Sequence, residues 1–322
     1  MNRYPVVSVL GLNITLYALL AVVFFLATAA GMILFAPKGK LSRKAGAIYP
    51  LLAGFLGLVL GRGIYCLIRA DAMFYDGMGD FLGLAPAFDL SQGSVSMTGA
   101  LLGFLLAGPL TALLCKVRTA RIFDFAAVYG LLFFIAMQLI TPLAGLGKGD
   151  LIENPALGFV PLARLNDWEE WYLAVNHVNV LLAMLVLIAL LLMKKHIKKE
   201  GSFALYAVSL LMICLIIPEH LNRDGHLQIF TFARVNHIAM AFTLFGCMLI
   251  ALLRGLKGGL NALPFWGELS LSVLCMGLCI LAIYALDKIT AWPPAFVYTG
   301  WVLVLVLLAG LICRRIFKED RR

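Results

Sequence analysis

Long apolar stretches alternate with short polar turns along the whole chain. Nine of these stretches are long enough to cross a hydrocarbon core of about 30 Å, for which a helix needs roughly 20 apolar residues. We predict spans near residues 8–36, 46–68, 95–115, 121–143, 172–193, 203–218, 228–253, 267–286 and 293–313. The pattern therefore predicts an all-α polytopic membrane protein with about nine transmembrane helices.

The composition supports the same class of protein. Hydrophobic residues make up 62% of the 322 residues and charged residues 13%, whereas soluble domains are roughly 45–50% apolar. The first span has a longer apolar core than a secretory signal and is followed by a basic turn, so we expect a retained helix. None of the seven cysteines forms a CxxC pair, and the sequence predicts neither disulfides nor a thiolate metal site.

The basic residues are concentrated in alternate turns. Eighteen of the 26 lie within residues 38–44, 116–121, 194–199, 254–257 and 314–322. These five segments share one side of the membrane if the nine spans alternate, and the positive-inside rule makes that side cytoplasmic. We therefore predict an outside N-terminus, a cytoplasmic C-terminus and a small extracytoplasmic segment near 144–171. The net charge of +9 then reflects topology and implies no nucleic-acid partner.

Polar side chains inside or beside the spans are the candidate functional residues, because a charge at a helix centre costs about 2.5–3.5 kcal/mol. Most lie near the predicted outer ends, and we expect them to converge on one polar pocket there. Arg62 and Arg69 have an alternative interpretation, in which they reach the headgroups as long basic side chains often do. Glu219 and Arg223, spaced i,i+4, have an alternative interpretation as a surface pair. Arg234 lies within an apolar stretch beside His237 and indicates a functional site.

Several segments resemble bacterial prolipoprotein diacylglyceryl transferases. They are LLAGFLGLVLGRGIYCLI at 51–68, QGSVSMTGALLG at 92–103, FDFAA at 123–127 after a basic turn, and GSFALYAVSLLMICLIIPEHLNRDG at 201–225. The resemblance covers roughly residues 8–253 and includes the tyrosine of the first span, Tyr17. It predicts a seven-helix transferase-like domain at 1–256, followed at 257–322 by two extra helices and a basic cytoplasmic tail.

The resemblance implies a reaction at the outer face of the bacterial plasma (inner) membrane. Such enzymes transfer the diacylglyceryl group of phosphatidylglycerol to the lipobox cysteine thiol of a prolipoprotein, release glycerol phosphate, and use no metal or diffusible cofactor. The expected partners are an anionic phospholipid and a lipobox peptide. The expected catalytic residues are Glu219, His237 and His177. The expected substrate-binding residues are Tyr17, Arg62, Tyr65, Thr98, Gly99, Gln138, Arg223 and Arg234.

The chain departs from the family pattern at several motif positions. Thr98 stands where the family has a histidine, Gln138 where it has an arginine, and Leu215 where it has a second arginine. Glu219 is kept, while Arg223 is displaced by one position. His237 or His177 would therefore have to supply the base that the family motif provides.

Three hypotheses remain open from the sequence. The first is a divergent active transferase, and the second is a protein of the same fold that binds lipid without catalysis. The third is an extracytoplasmic metal enzyme, with ligands drawn from His177, His220, His226, His237, Glu219 and Asp224. The small residues of QGSVSMTGALLG also have two interpretations. They bring the backbone to a lipid headgroup, or Gly99 and Gly103 allow close packing of two helices.

Overall fold

The computed structural model describes most of the chain. The described residues are 7–9, 12–75, 80–81, 83–88, 95–154, 156, 158–165, 169–224, 228–229, 233–259, 261–289 and 291–321. The first three residues of QGSVSMTGALLG and the candidate ligand His226 lie outside them. Within the described residues, nine helices are long and apolar enough to cross a membrane. The prediction of an all-α polytopic membrane protein is confirmed.

The chain divides into two compact units, Met1–Leu146 and Gly147–Arg322. The first unit opens with an antiparallel pair of strands, β1 (Val7–Val9) and β2 (Leu12–Ile14). Its helices are α1 (Leu16–Phe35), α2 (Arg43–Ile68), the short α3 (Ala70–Phe74) and α4 (Ala85–Phe88), α5 (Met97–Cys115) and α6 (Thr119–Ile140). Short 3-10 turns follow α1 at Ala36–Gly39 and α6 at Thr141–Ala144.

In its described residues, the second unit combines a small sheet with five long helices. Strands β3 (Lys148–Leu151), β4 (Ala163–Leu165) and β5 (Trp171–Ala174) form an antiparallel sheet in the order β3-β5-β4. They precede α7 (Val175–Met193) and α8 (Ser202–Leu221). A hairpin of β6 (Gln228–Ile229) and β7 (Ala233–Arg234) leads into α9 (Val235–Lys257), α10 (Ala262–Lys288) and α11 (Pro294–Arg321).

Two predicted helix starts are wrong for the same reason. The first span was predicted from residue 8, but α1 begins at Leu16, after β1 and β2, where the Thr15 hydroxyl accepts a hydrogen bond from the Ala18 amide at 3.2 Å. The seventh was predicted from residue 228, but α9 begins at Val235, after β6 and β7. Both hairpins are short and apolar, and an apolar run by itself does not distinguish strand from helix.

Two predicted helix ends are too early. The sixth span was predicted to end at residue 218, but α8 continues to Leu221 and includes Glu219 and His220 in its last turn. The ninth was predicted to end at 313, but α11 continues to Arg321. The predicted basic tail is therefore largely helical.

A glycine contact joins α2 to α5. A Cβ on Gly99 would collide with the Leu60 carbonyl oxygen and lie 2.6 Å from the Gly61 Cα, and a Cβ on Gly103 would lie 2.5 Å from the Gly57 Cα. The two backbones are thus in direct contact, as small residues four apart permit. Helix packing accounts for the absence of side chains at Gly99 and Gly103, and a headgroup contact at Gly99 stays a prediction.

The basic turns gather at one end of each unit. In the first unit, buried Ala36 and Leu41 pack with Ala112 and Ile122, which brings the turn after α1 to the turn before α6. In the second, the ammonium of Lys199 lies 3.9 Å from a carboxylate oxygen of Glu319. The expected alternation of helices therefore holds within each unit, and the side of the membrane on which these turns lie stays a prediction.

Helices α10 and α11 belong to the second unit. They pack against each other and against α9, and α11 also packs against α8. The predicted functional division at residue 256 stays a prediction.

Candidate functional site

A group of polar and aromatic side chains lies at one end of the second unit, where α8 and α10 end and α9 and α11 begin. We call it the histidine cluster. Its members are Glu219, His220, Arg234, Asn236, His237, Tyr298 and Trp301. The cluster includes three of the predicted site residues, Glu219, Arg234 and His237.

Arg234 is the residue that precedes α9, and its side chain is buried, with 9% exposed. Its Nη1 donates to the carbonyl oxygens of Glu219 and of Asn222, the latter at 2.9 Å. These carbonyls lie at the C-terminal end of α8, where the last carbonyls have no hydrogen-bond partner within the helix. A positive charge is favourable there because the C-terminal end of the helix dipole is negative. Arg234 therefore caps α8, and Nη1 is engaged in that contact.

Glu219 is joined to α9 by a side-chain amide. Asn236 Nδ2 donates to Glu219 Oε1 at 2.8 Å, so the carboxylate is held beside Arg234 and His237 at the start of the next helix.

The interpretation of Glu219 and Arg223 as a pair is not supported by the contacts of Arg223. Its Nε donates to the Asp150 carboxylate instead, and this hydrogen bond raises the pKa of Arg223.

The segment after α8 is hydrogen-bonded to the start of strand β3 in the three-stranded sheet. The Arg223 amide donates to the Lys148 carbonyl at 2.8 Å, and the Asp224 carboxylate accepts from the Gly147 amide at 2.6 Å. Gly147 has φ of +85°, a conformation that favours glycine. Arg223 and Asp224 therefore link the end of α8 to β3, and the Arg223 side chain remains 65% exposed.

The two histidines proposed as the catalytic base, His237 and His177, are hydrogen-bonded through different ring nitrogens. His237 is buried, and its Nε2 lies 3.2 Å from the Ile216 carbonyl oxygen. His177, near the start of α7, has its Nδ1 2.7 Å from the Pro161 carbonyl oxygen. Because a carbonyl only accepts hydrogen bonds, the engaged nitrogen carries the proton. In the neutral ring, the proton acceptor is then Nδ1 in His237 and Nε2 in His177.

His220 and two aromatic residues of α11 belong to the site. The sequence indicated His220 only as a candidate metal ligand, and it did not indicate Tyr298 or Trp301. The His220 ring centroid lies 5.5 Å from that of Trp301, 6.1 Å from Tyr298 and 6.2 Å from His237. Asp287, at the end of α10, lies within electrostatic range of His220 and Arg234. The available signal was the presence of Asp287, Tyr298 and Trp301 at the predicted outer ends of the last two spans.

In the first unit, Arg62 is buried, and its side chain forms hydrogen bonds with the short helix α4. Its Nε donates to the Ala87 carbonyl at 2.9 Å and its Nη2 to the Pro86 carbonyl at 2.6 Å, both in α4. The guanidinium carbon also lies 5.6 Å from the centroid of the Tyr65 ring. With 8% of its surface exposed, Arg62 is largely enclosed by protein, and the alternative interpretation that it reaches headgroups stays a prediction. Arg69, by contrast, is exposed.

The other predicted residues of the first unit share its end opposite the basic turns. Tyr17 and Thr98 are each the second residue of their helix, α1 and α5, and Gln138 lies in the last turn of α6. All three are partly buried. The convergence of this end with the histidine cluster on one pocket stays a prediction.

Metal binding finds no support in the described part of the chain. No group of three or more histidine, cysteine, aspartate or glutamate side chains there could hold a metal ion. Of the six proposed ligands, His226 lies outside the described residues.

Comparison with known proteins assigns no family. No protein-family model matches the chain, and no curated protein matches it. The fold defines a polytopic helical membrane protein.

Proposed function

We propose that the protein binds phosphatidylglycerol and transfers its diacylglyceryl group to the lipobox cysteine of a prolipoprotein, in the manner of the diacylglyceryl transferases that its motifs resemble. The observation that carries this proposal is the grouping of Glu219, Arg234 and His237 at one end of packed apolar helices. Arg234 donates to the Glu219 carbonyl, and Asn236, the chain neighbour of His237, donates to the Glu219 carboxylate. A carboxylate, a guanidinium and an imidazole are brought together there. We place the site at the extracytoplasmic face of the bacterial plasma membrane.

The reaction needs a base and a stabilised leaving group. The thiol sulfur attacks the carbon of the diacylglyceryl group that is bonded to the phosphate oxygen. A C–S bond forms, that C–O bond breaks, and glycerol phosphate leaves with the bonding electrons. The thiol proton passes to a base. An imidazole suits this step because its ordinary pKa of about 6.5 lies near working pH, and we assign the step to His237 Nδ1.

Arginines supply the charge that the phosphate needs. A guanidinium has five N–H donors and matches a phosphate in two-point contacts. Arg234 uses Nη1 on the α8 carbonyls, so its other donors would face the phosphate. Arg223, which is largely exposed, would add a second positive charge at the exposed side of the histidine cluster.

Complementation tests the proposal. A cell depleted of its own transferase is supplied with this protein, and lipid attachment to a model prolipoprotein is measured. We expect attachment with the wild type and its loss with His237→Gln, while Arg69→Ala, which changes an exposed arginine, retains it. Absence of attachment by the correctly inserted wild-type protein would overturn transfer as the function.

A second candidate function is lipid binding without transfer. It is favoured because Gln138 and Leu215 stand where the resembled family has arginines. Thr98, which replaces the motif histidine, also has no group that accepts a proton near neutral pH. In this case phosphatidylglycerol binds to the purified protein but a lipobox peptide gains no diacylglyceryl group.

Binding measurements test the role of Arg234 in either function. Arg234→Ala is expected to weaken phosphatidylglycerol binding roughly 10-fold or more, the effect of losing a charge-assisted hydrogen bond. Arg69→Ala should leave binding unchanged. Equal behaviour of the two variants would argue against a specific phosphate site.

A further inference from the structure

The first turns of α11 enclose His220 with aromatic rings. Trp301, which is 1% exposed, meets the imidazole edge-on at an interplanar angle of 78°. Tyr298 lies three residues earlier on α11, stacked on Trp301 with 6.3 Å between ring centroids. The last helix therefore forms one wall around a histidine that α8 contributes.

His220 Nδ1 is buried and has no hydrogen-bond partner among the residues that the structure describes. Nearly all buried polar groups in proteins are hydrogen-bonded, and an exception calls for a bound water or ligand. His220 as a residue is partly exposed. A ligand contact with Nδ1 therefore requires the ring to move so that this buried atom is uncovered.

The charges around His220 come from several elements. Asp150 of β3, Arg223 after α8, Arg234 before α9 and Asp287 of α10 all lie within electrostatic range of it. Glu219 is its chain neighbour, and the His237 and Tyr298 rings contact it. Two guanidiniums and three carboxylates thus surround His220, and Arg223 and Arg234 are the groups among them that can bind a phosphate.

We propose that His220 determines headgroup specificity, by hydrogen-bonding a hydroxyl of an anionic phosphodiester lipid whose phosphate lies near Arg223 and Arg234. A hydroxyl both donates and accepts, so it satisfies Nδ1 in either tautomer of the ring. Phosphatidylglycerol carries such hydroxyls on its terminal glycerol. This inference rests on the proposed lipid binding and assigns α11 a part in selecting the lipid, with Trp301 and Tyr298 as positioning residues.

Two lipids of equal charge test the proposal. Phosphatidylethanol is an anionic phosphodiester like phosphatidylglycerol, but its headgroup has no hydroxyl. Binding of each is measured to the purified full-length protein in nanodiscs of phosphatidylcholine, without an acceptor peptide. The wild type should bind phosphatidylglycerol roughly 3- to 10-fold more tightly, the contribution of one hydrogen bond.

Substitutions at residue 220 identify the atom responsible. His220→Phe should bring the ratio of the two affinities to about one by weakening phosphatidylglycerol alone. His220→Asn, whose amide places a polar atom near the position of Nδ1, should keep part of the preference. His196→Phe is the matched control, because His196 is exposed at the other end of the unit and should keep the whole preference.

The outcomes separate this inference from the proposed function. If the wild type binds both anionic lipids equally, or if His220→Phe keeps the preference, the inference is wrong and lipid binding stands. If neither lipid binds better than phosphatidylcholine, the proposed function fails as well. A preference for phosphatidylglycerol without transfer to a lipobox peptide supports the inference together with the non-catalytic function.

Discussion

The two ends of the second unit both bury charged side chains, but they neutralise them differently. At the end opposite the histidine cluster, Arg315 is 2% exposed; its Nε donates to Glu268 at 2.6 Å and its Nη1 contacts Glu319 at 3.4 Å. We call this group the ion-pair network. Its members are Lys199, Glu268, Arg315, Glu319 and Asp320.

In the ion-pair network, opposite charges meet directly and join α10, α11 and the turn before α8. In the histidine cluster, Arg234 donates to carbonyls, Glu219 accepts from an amide, and His220 Nδ1 has no hydrogen-bond partner among the described residues. Burial of a charge therefore does not by itself indicate a site. We interpret the network as structural and the histidine cluster as the place where a ligand supplies missing contacts.

The largest expected effect is that of Arg315→Ala. This change leaves Glu268 and Glu319 without their buried partner, which we expect to cost about 3–5 kcal/mol of stability. The midpoint of thermal unfolding in detergent measures it. Arg314→Ala, at an exposed neighbouring position, should stay within about 0.5 kcal/mol of the wild type.

Replacing the core of the network sharpens this interpretation. Arg315→Met combined with Glu268→Leu and Glu319→Leu removes all three charges, and well-packed apolar residues often substitute for buried ion pairs without loss. The triple variant should therefore recover most of the stability lost by Arg315→Ala and should bind phosphatidylglycerol like the wild type. Loss of lipid binding in a stable triple variant would make the network part of the functional site.

A smaller loss of stability is expected for Arg234→Met in the histidine cluster. The α8 carbonyls of Glu219 and Asn222 would lose a charged donor, at a cost of about 1.5–3 kcal/mol. Unlike the network variants, Arg234→Met should also reduce phosphatidylglycerol binding per folded molecule. Thermal unfolding and lipid binding measured on the same preparation separate the two effects, and unchanged binding would reduce Arg234 to a helix cap.

The smallest effect on stability is expected for Arg223→Ala. Its pair with Asp150 is largely exposed, and exposed pairs contribute about 0–1 kcal/mol. Phosphatidylglycerol binding should nevertheless fall, and the difference from wild type should shrink as salt screens the charge. A difference that does not change between low and high salt would contradict an electrostatic role.

The sequence predicted the helices better than their ends. Apolar length identifies nine spans, but it does not reveal that residues 7–9 pair with 12–14, or residues 228–229 with 233–234, as short antiparallel strands. The contact of α2 with α5 was open to prediction because Gly99 and Gly103 are spaced four apart. The burial of Arg62 could not be predicted, because its hydrogen-bond partners are backbone carbonyls of α4 and carry no side-chain signal in the sequence.

The candidate site was predictable only in part. Glu219, Arg234 and His237 are polar residues near the ends of adjacent apolar spans, so the sequence indicates them. The contact of His220 with Trp301 joins positions far apart in the chain, and one sequence does not reveal such pairs. The sequence assigned Arg315 to a basic cytoplasmic tail because of its charge. In the structure its side chain is buried and paired with Glu268.

Photo-crosslinking tests the location of the lipid site most directly. Purified protein in nanodiscs is exposed to phosphatidylglycerol that carries a photoreactive group on its headgroup, and crosslinked peptides are identified by mass spectrometry. We predict crosslinks concentrated in residues 218–237 and 294–301, suppressed by unlabelled phosphatidylglycerol and reduced by Arg234→Ala. Crosslinks spread evenly over the exposed helix surfaces, or concentrated around Arg315, would contradict the assignment of the histidine cluster as the lipid site.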